Sequence, residues 1–103
     1  MPNLNKGEYG QTVYANMGED VSSGTTFTII LEPQGGSKLT KTATVGATNI
    51  TVDDQDLIAN EYIQYTIIDG DLTYVGNWRL KGECVLTSTN KVISDYSNFE
   101  VKA

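Results

Sequence analysis

The sequence contains no histidine. That removes Ser-His-Asp and Cys-His nucleophilic catalysis and the usual zinc sites. Its one cysteine, Cys84, can form no internal disulfide. Basic residues are few: 7 Lys and Arg against 13 Asp and Glu, a formal charge of −6, with the cations scattered singly. A basic surface for nucleic acid is therefore missing. No apolar run approaches the ~20 residues a membrane helix needs. The opening Met1-Pro2-Asn3-Leu4-Asn5-Lys6 lacks the apolar centre of a secretory signal. Together these absences predict a soluble chain, made in the cytosol and not exported by a cleavable signal, with neither nucleic acid nor membrane as partner. Leucine- and alanine-rich helical runs are missing too.

What is present suits strands. With 103 residues the chain is one domain in size, and 39% hydrophobic against 19% charged is too apolar for disorder. Thr, Val, Ile and Tyr favour strands, and ten glycines with many Asn, Asp and Ser supply turns. The organising stretch is Asn77 to Thr87. Trp78, Leu80, Cys84 and Leu86 share one parity, while Arg79, Lys81, Glu83 and Thr87 share the other. A period of two marks a strand with one buried and one wet face, here a central one.

Residues 1–10, with Pro2, Gly7 and Gly10, read as an N-terminal arm without a core of its own, either frayed or ordered on a neighbouring subunit. Residues 11–103 read as one β-domain. Strands are expected over Gln11–Asn16, Thr25–Glu32 (Phe27, Ile29 and Leu31 inward), Lys38–Val45 and Thr48–Val52. Lys41 falls on the inward parity of its strand, which points to an edge or a bulge. Asp53 to Ala59 resembles a capped single helical turn. Glu61–Ile68 follows, with Ile63, Tyr65 and Ile67 on one face and Tyr62 on the other. After the Asp69-Gly70 turn, Leu72–Val75 reads either as a short strand pairing back or, the favoured reading, as a connection whose Leu72 plugs the sandwich end, and Lys91–Ser94 returns antiparallel to the central strand. Asn98–Lys102 closes the chain with Phe99 and Val101 inward. About seven short strands at close spacing predict an antiparallel β-sandwich with Greek-key connections.

Little chemistry survives inspection. Cys84, on the apolar face, is expected as a core residue with a raised pKa. Asp53, Asp54 and Asp56, and Asp69 with Asp71, lack EF-hand spacing and suit turns and caps, with Ca²⁺ as the lesser reading. A glycosidase needs paired carboxylates in a cleft, which a chain this short rarely builds. Asn49-Ile50-Thr51 matches a glycosylation sequon that means little without a signal. No enzyme activity, cofactor or resident metal is expected. The aromatics remain: Tyr9, Tyr14, Tyr62, Tyr74 and Tyr96 sit at strand ends, loops or outward parity. Tyrosine suits protein interfaces, sugar stacking and cross-strand packing alike. With Leu4 of the arm they form the candidate interface set. The expected core is Phe27, Ile29, Leu31, Trp78, Leu80, Cys84, Leu86, Phe99 and Val101.

The ordering of these pieces is familiar. A polar arm precedes a Thr-rich strand ending Glu32-Pro33-Gln34-Gly35-Gly36. Asp71-Leu72-Thr73-Tyr74-Val75-Gly76 leads into Asn77-Trp78-Arg79-Leu80, and Ser94-Asp95-Tyr96-Ser97-Asn98-Phe99-Glu100-Val101 closes the chain. Over residues 20–102 this resembles the small immunoglobulin-like domains of tailed-bacteriophage virion proteins, such as baseplate upper protein N-terminal domains, fibre-attachment domains and head or neck accessory proteins. The resemblance implies an immunoglobulin-like sandwich in a structural virion component assembled in the host cytoplasm. Its implied partners are other virion proteins and further copies of itself. Family members are often domains of longer chains, so a chain complete at 103 residues implies a standalone adaptor or decoration subunit. The rival expectation is a carbohydrate-binding module, with or without Ca²⁺.

Overall fold

A computed structural model describes residues 3–103; Met1 and Pro2 of the expected arm lie outside the described residues. The described chain is all-β, without a helix. Its strands are β1 (Leu4–Asn5), β2 (Thr12–Asn16), β3 (Thr26–Pro33), β4 (Leu39–Thr42), β5 (Thr44–Val45), β6 (Ile50–Val52), β7 (Gln55–Leu57), β8 (Tyr62–Thr66), β9 (Gly76–Thr87), β10 (Asn90–Ile93) and β11 (Ser97–Lys102). Eleven strands replace the expected seven, because several elements are only two to four residues long and the 46–60 segment forms its own hairpin.

The alternating stretch 77–87 is the twelve-residue β9, centre of a six-stranded sheet. It pairs antiparallel with β3 on one edge and with β10 and β11 on the other. The register sets Leu80 beside Leu31 and Trp78 beside both Pro33 and Phe99. A second sheet, in the order β2-β8-β5, turns Val13, Ala15 and Ile63 into the same core, joined by Ile67 just past the end of β8. Ile29, Leu31, Leu80, Cys84 and Val101 are fully buried, with Trp78 and Phe99 nearly so; Phe27 and Leu86 are half-buried against them. Leu72, in the connection before β9, is buried as well.

The two sheets come close together at Gly82. A methyl group there would stand 2.7 Å from Ala15 Cβ, 2.8 Å from Met17 Sδ and 2.9 Å from Ile63 Cδ1. The same residue anchors a bulge. Between the pairs Glu83–Ile93 and Leu80–Ser97, two residues of β9 face three, Ser94 to Tyr96. Ser94 closes the gap: its N–H donates to the Gly82 carbonyl at 2.9 Å and its Oγ accepts from the Gly82 N–H at 2.8 Å. A bulge of this kind re-aims a side chain, and here Tyr96 turns outward.

Three expectations need correction. The arm is part of the sheet from Leu4 on: β1 adds parallel to β11, Leu4 beside Val101, and Leu4 is 4% exposed. Leu4 had no apolar neighbour in sequence; its partner lies at the far end of the chain. Second, Asp53–Ala59 makes no helical turn. Asp53 and Asp54 are the left-handed central residues, φ 50° and 64°, of a two-residue loop joining β6 to β7. Two positive φ values give the twist such a hairpin needs, and Asp tolerates them better than most residues. Glycine is better still, so Asp54→Gly is expected to raise stability by about 0.5 kcal/mol in urea unfolding. Third, Tyr62 is on the outward face of its strand yet only 2% exposed, because segment 46–48 folds across its ring and the Thr48 carbonyl accepts its hydroxyl at 2.9 Å.

Candidate functional site

The six candidate interface residues do not form one surface. Leu4 and Tyr62 are buried, which removes both from any contact face. Tyr9 and Tyr74 are exposed on loops at one end of the molecule. Tyr14 and Tyr96 come together elsewhere, in a cleft.

The exposed end is built from three loops. The Gly7 N–H donates to the Leu72 carbonyl at 3.0 Å and the Gly10 N–H to the Ile67 carbonyl at 2.8 Å, tying the segment that carries Tyr9 to the β8–β9 connection. That connection carries Ile68, Tyr74 and Val75, all exposed. Tyr74 lies across the β3–β4 turn. A methyl at Gly35 would stand 2.9 Å from its hydroxyl, and one at Gly36 would stand 3.2 Å from its ring. The glycine pair thus leaves the space the tyrosine fills. The Tyr74 carbonyl accepts the Trp78 indole N–H at 2.9 Å, so the loop is fastened to the core.

The cleft encloses about 350 Å³ where the edge of β2, the β6–β7 hairpin and the bulge meet. Tyr14, Asn16, Asp53, Gln55, Asp95 and Tyr96 line it. Both tyrosines are held in place. Tyr14 packs edge-on against Tyr62 at 6.0 Å, and Tyr96 lies under the Arg79 guanidinium at 4.0 Å with Lys81 Nζ at 5.2 Å. Arg79 is in turn fixed by Glu32 at 3.1 Å.

A third feature is internal. Asp71 is 5% exposed, yet fully partnered. Its Oδ2 accepts from the Tyr65 hydroxyl at 2.5 Å and the Ile68 N–H at 3.0 Å, and its Oδ1 meets Lys41 Nζ at 2.9 Å. This explains a lysine on the inward parity of β4, which is an edge strand. The cluster ties β4, β8 and the β8–β9 connection together. The inward Lys41 was its one trace in the sequence; Asp71 read only as a turn residue.

These contacts set the protonation states. Burial alone would push the Asp71 carboxyl up. The bonds from Tyr65, Lys41 and the Ile68 N–H, with the Lys41 charge, outweigh it and hold the group below the ordinary aspartate value. Glu83 is also lowered, first by its bond from Lys91 and against a smaller effect of burial. Burial, with the bond to Asp71, pushes Tyr65 up to about 12, and burial pushes Cys84 up to about 11. Carboxyls lowered on folding add stability that is lost as pH falls through their folded values. Tyr65 and Cys84 are raised, so their contribution is lost as pH rises from their unfolded values, 10.0 and 9.0, through the folded ones. Thermal unfolding is therefore expected to show a broad plateau that falls on the acid side below the usual aspartate range and on the alkaline side above pH 9. Tyr65→Phe should flatten part of the alkaline fall, at a cost of about 2 kcal/mol near neutrality from the lost bond.

Among the described residues, no three acidic or cysteine side chains converge as a cation site. Asp53, Asp54 and Asp56 belong to the hairpin, with Asp56 accepting from Thr51 Oγ1 at 2.9 Å.

No protein-family model matches the chain, and neither does any curated protein or any solved structure.

Proposed function

We propose that this chain is a structural protein of a tailed-bacteriophage virion. In this reading the two packed sheets form an immunoglobulin-like sandwich, a small adaptor or decoration subunit assembled in the host cytoplasm. It docks in many copies on the capsid, neck, tail or fibre through protein–protein contacts, beside further copies of itself. One observation carries the docking role. Tyr9, Ile68, Tyr74 and Val75, 63, 56, 41 and 45% exposed, stand on linked loops at one end. Exposed aromatic and aliphatic side chains gathered on a fastened end are what a docking surface uses. Repetition on a symmetric particle makes weak single contacts strong. The proposed contact thus lies on the 67–75 and 7–10 loops. Leu4, bound into the sheet, takes no part.

Density-gradient sedimentation of the native protein from host lysate tests the assembly role. Migration with megadalton particles is the expected result. A free species of 11.2 kDa would overturn the proposal.

A further inference from the structure

The Tyr14–Tyr96 cleft lies apart from the docking loops, and docking makes no use of it. Its construction has three features of a ligand site. Its volume of about 350 Å³ is large enough for a small ligand, at the lower end of binding pockets. Two tyrosines line it, each fixed by a neighbour before any ligand arrives: Tyr14 by Tyr62 and Tyr96 by Arg79. Aromatic surface that is already immobile loses little freedom on binding. Apart from Val52 and Leu57, the remaining lining is polar. Asp53, Asp95, Gln55, Asn16 and Ser97 present carboxylates, amides and a hydroxyl from three separate segments. Asn16 uses its Oδ1 on the Gly18 N–H at 3.1 Å, which leaves its amide N–H groups to donate.

The lining also selects the ligand's chemistry. Two carboxylates and no lysine or arginine line the cleft; the Arg79 and Lys81 that lie against Tyr96 are paired with Glu32 and Glu83, and the whole chain carries −6. Phosphates, sulfates and acidic sugars are disfavoured. An apolar ligand would displace water from this polar lining without replacing its hydrogen bonds. A compact neutral molecule with many hydroxyls and a flat C–H face satisfies both kinds of lining, its hydroxyls donating to Asp and Gln oxygens while the C–H face rests on a tyrosine ring. We infer that this cleft binds a neutral pyranose ring, with Tyr96 and Tyr14 as the aromatic contacts and Asp95, Asp53, Gln55 and Asn16 as the hydroxyl partners. The bulge at Ser94–Tyr96 is then the device that aims Tyr96 at the sugar.

The test is an amide NMR titration of the full chain with the methyl glycosides of glucose, galactose, mannose and N-acetylglucosamine. Saturable shifts confined to residues around Tyr14–Asn16, Val52–Gln55 and Asp95–Ser97 are expected with at least one of them. Tyr96→Ala should weaken that binding about tenfold, while Tyr74→Ala, the same change on the docking end, leaves it intact. Gln55→Ala, on an exposed hairpin position, keeps the test informative should Tyr96→Ala fail to fold, and should also weaken binding. No saturable shift with any of the four sugars, shifts mapping outside the cleft, or unchanged binding by folded Tyr96→Ala or by Gln55→Ala would each overturn the assignment. Sugar binding and sedimentation with particles are separate readouts, so either proposal can fail alone.

Discussion

Trp78→Ala is expected to remove about 3–5 kcal/mol of stability, the usual cost of deleting a large aromatic from a core. Trp78 is 3% exposed and stacks on Phe99 at 5.8 Å with 25° between the rings. It sits in the register of β9 opposite Pro33 on one side and Phe99 on the other, so its loss opens a void between three strands. It also leaves the Tyr74 carbonyl without the indole N–H. A domain of this size commonly holds about 5–15 kcal/mol, so the variant keeps little margin, and its melting temperature should fall by on the order of 20 °C. Trp78→Phe keeps a ring against Phe99 and should cost clearly less. Equal losses for the two variants would mean that the lost hydrogen bond, and not packing, dominates. A loss below about 1 kcal/mol for Trp78→Ala would contradict the placement of β9 at the centre of the core.

Gly46→Ala should cost about 3 kcal/mol, the upper end for forcing atoms into a packed site. A methyl group at Gly46 overlaps the Tyr62 ring and hydroxyl. The ring cannot retreat easily. It is buried, packs against Tyr14, and donates to the Thr48 carbonyl. The Gly46 backbone is committed as well, donating to the Tyr62 carbonyl at 3.0 Å and accepting from the Asn60 N–H at 2.8 Å. The collision therefore pulls on both ends of the 46–60 excursion. A smaller side chain at position 62 should relieve it. In a double-mutant cycle with Tyr62→Leu, Gly46→Ala should cost about 2 kcal/mol less than in the parent. Additive losses would show that the glycine is needed for some reason other than the ring. Tyr14 leans on the same ring, so the single variant should also disturb the cleft.

Local pattern made β9, β3 and the all-β class legible. Trp78, Leu80 and Cys84 alternate with charged residues, and no competing rule interferes. Where burial depends on a partner distant in sequence, the pattern misled. Nothing beside Leu4 announces that β11 will pair with it. Tyr62 lies on the outward parity, and parity cannot foresee a hairpin folding over it. Asp53-Asp54 satisfies two rules at once, since aspartate suits both a helix start and a left-handed hairpin turn. The β6–β7 pairing settles the choice, and it depends on Ile50 and Leu57 lying opposite each other. The cleft was invisible for the same reason as Leu4. Its lining comes from residues 14–16, 52–57 and 95–97, which only the folded sheets bring together.

The most direct test of the docking role is a paired incorporation experiment. The Ile68→Asp, Val75→Asp double variant changes two exposed side chains and should leave thermal unfolding within about 0.5 kcal/mol per site of the parent. Co-produced with wild-type protein under the other particle components, it should stay at the top of the gradient while wild type migrates with the particles. Equal incorporation of the two would contradict docking through this end.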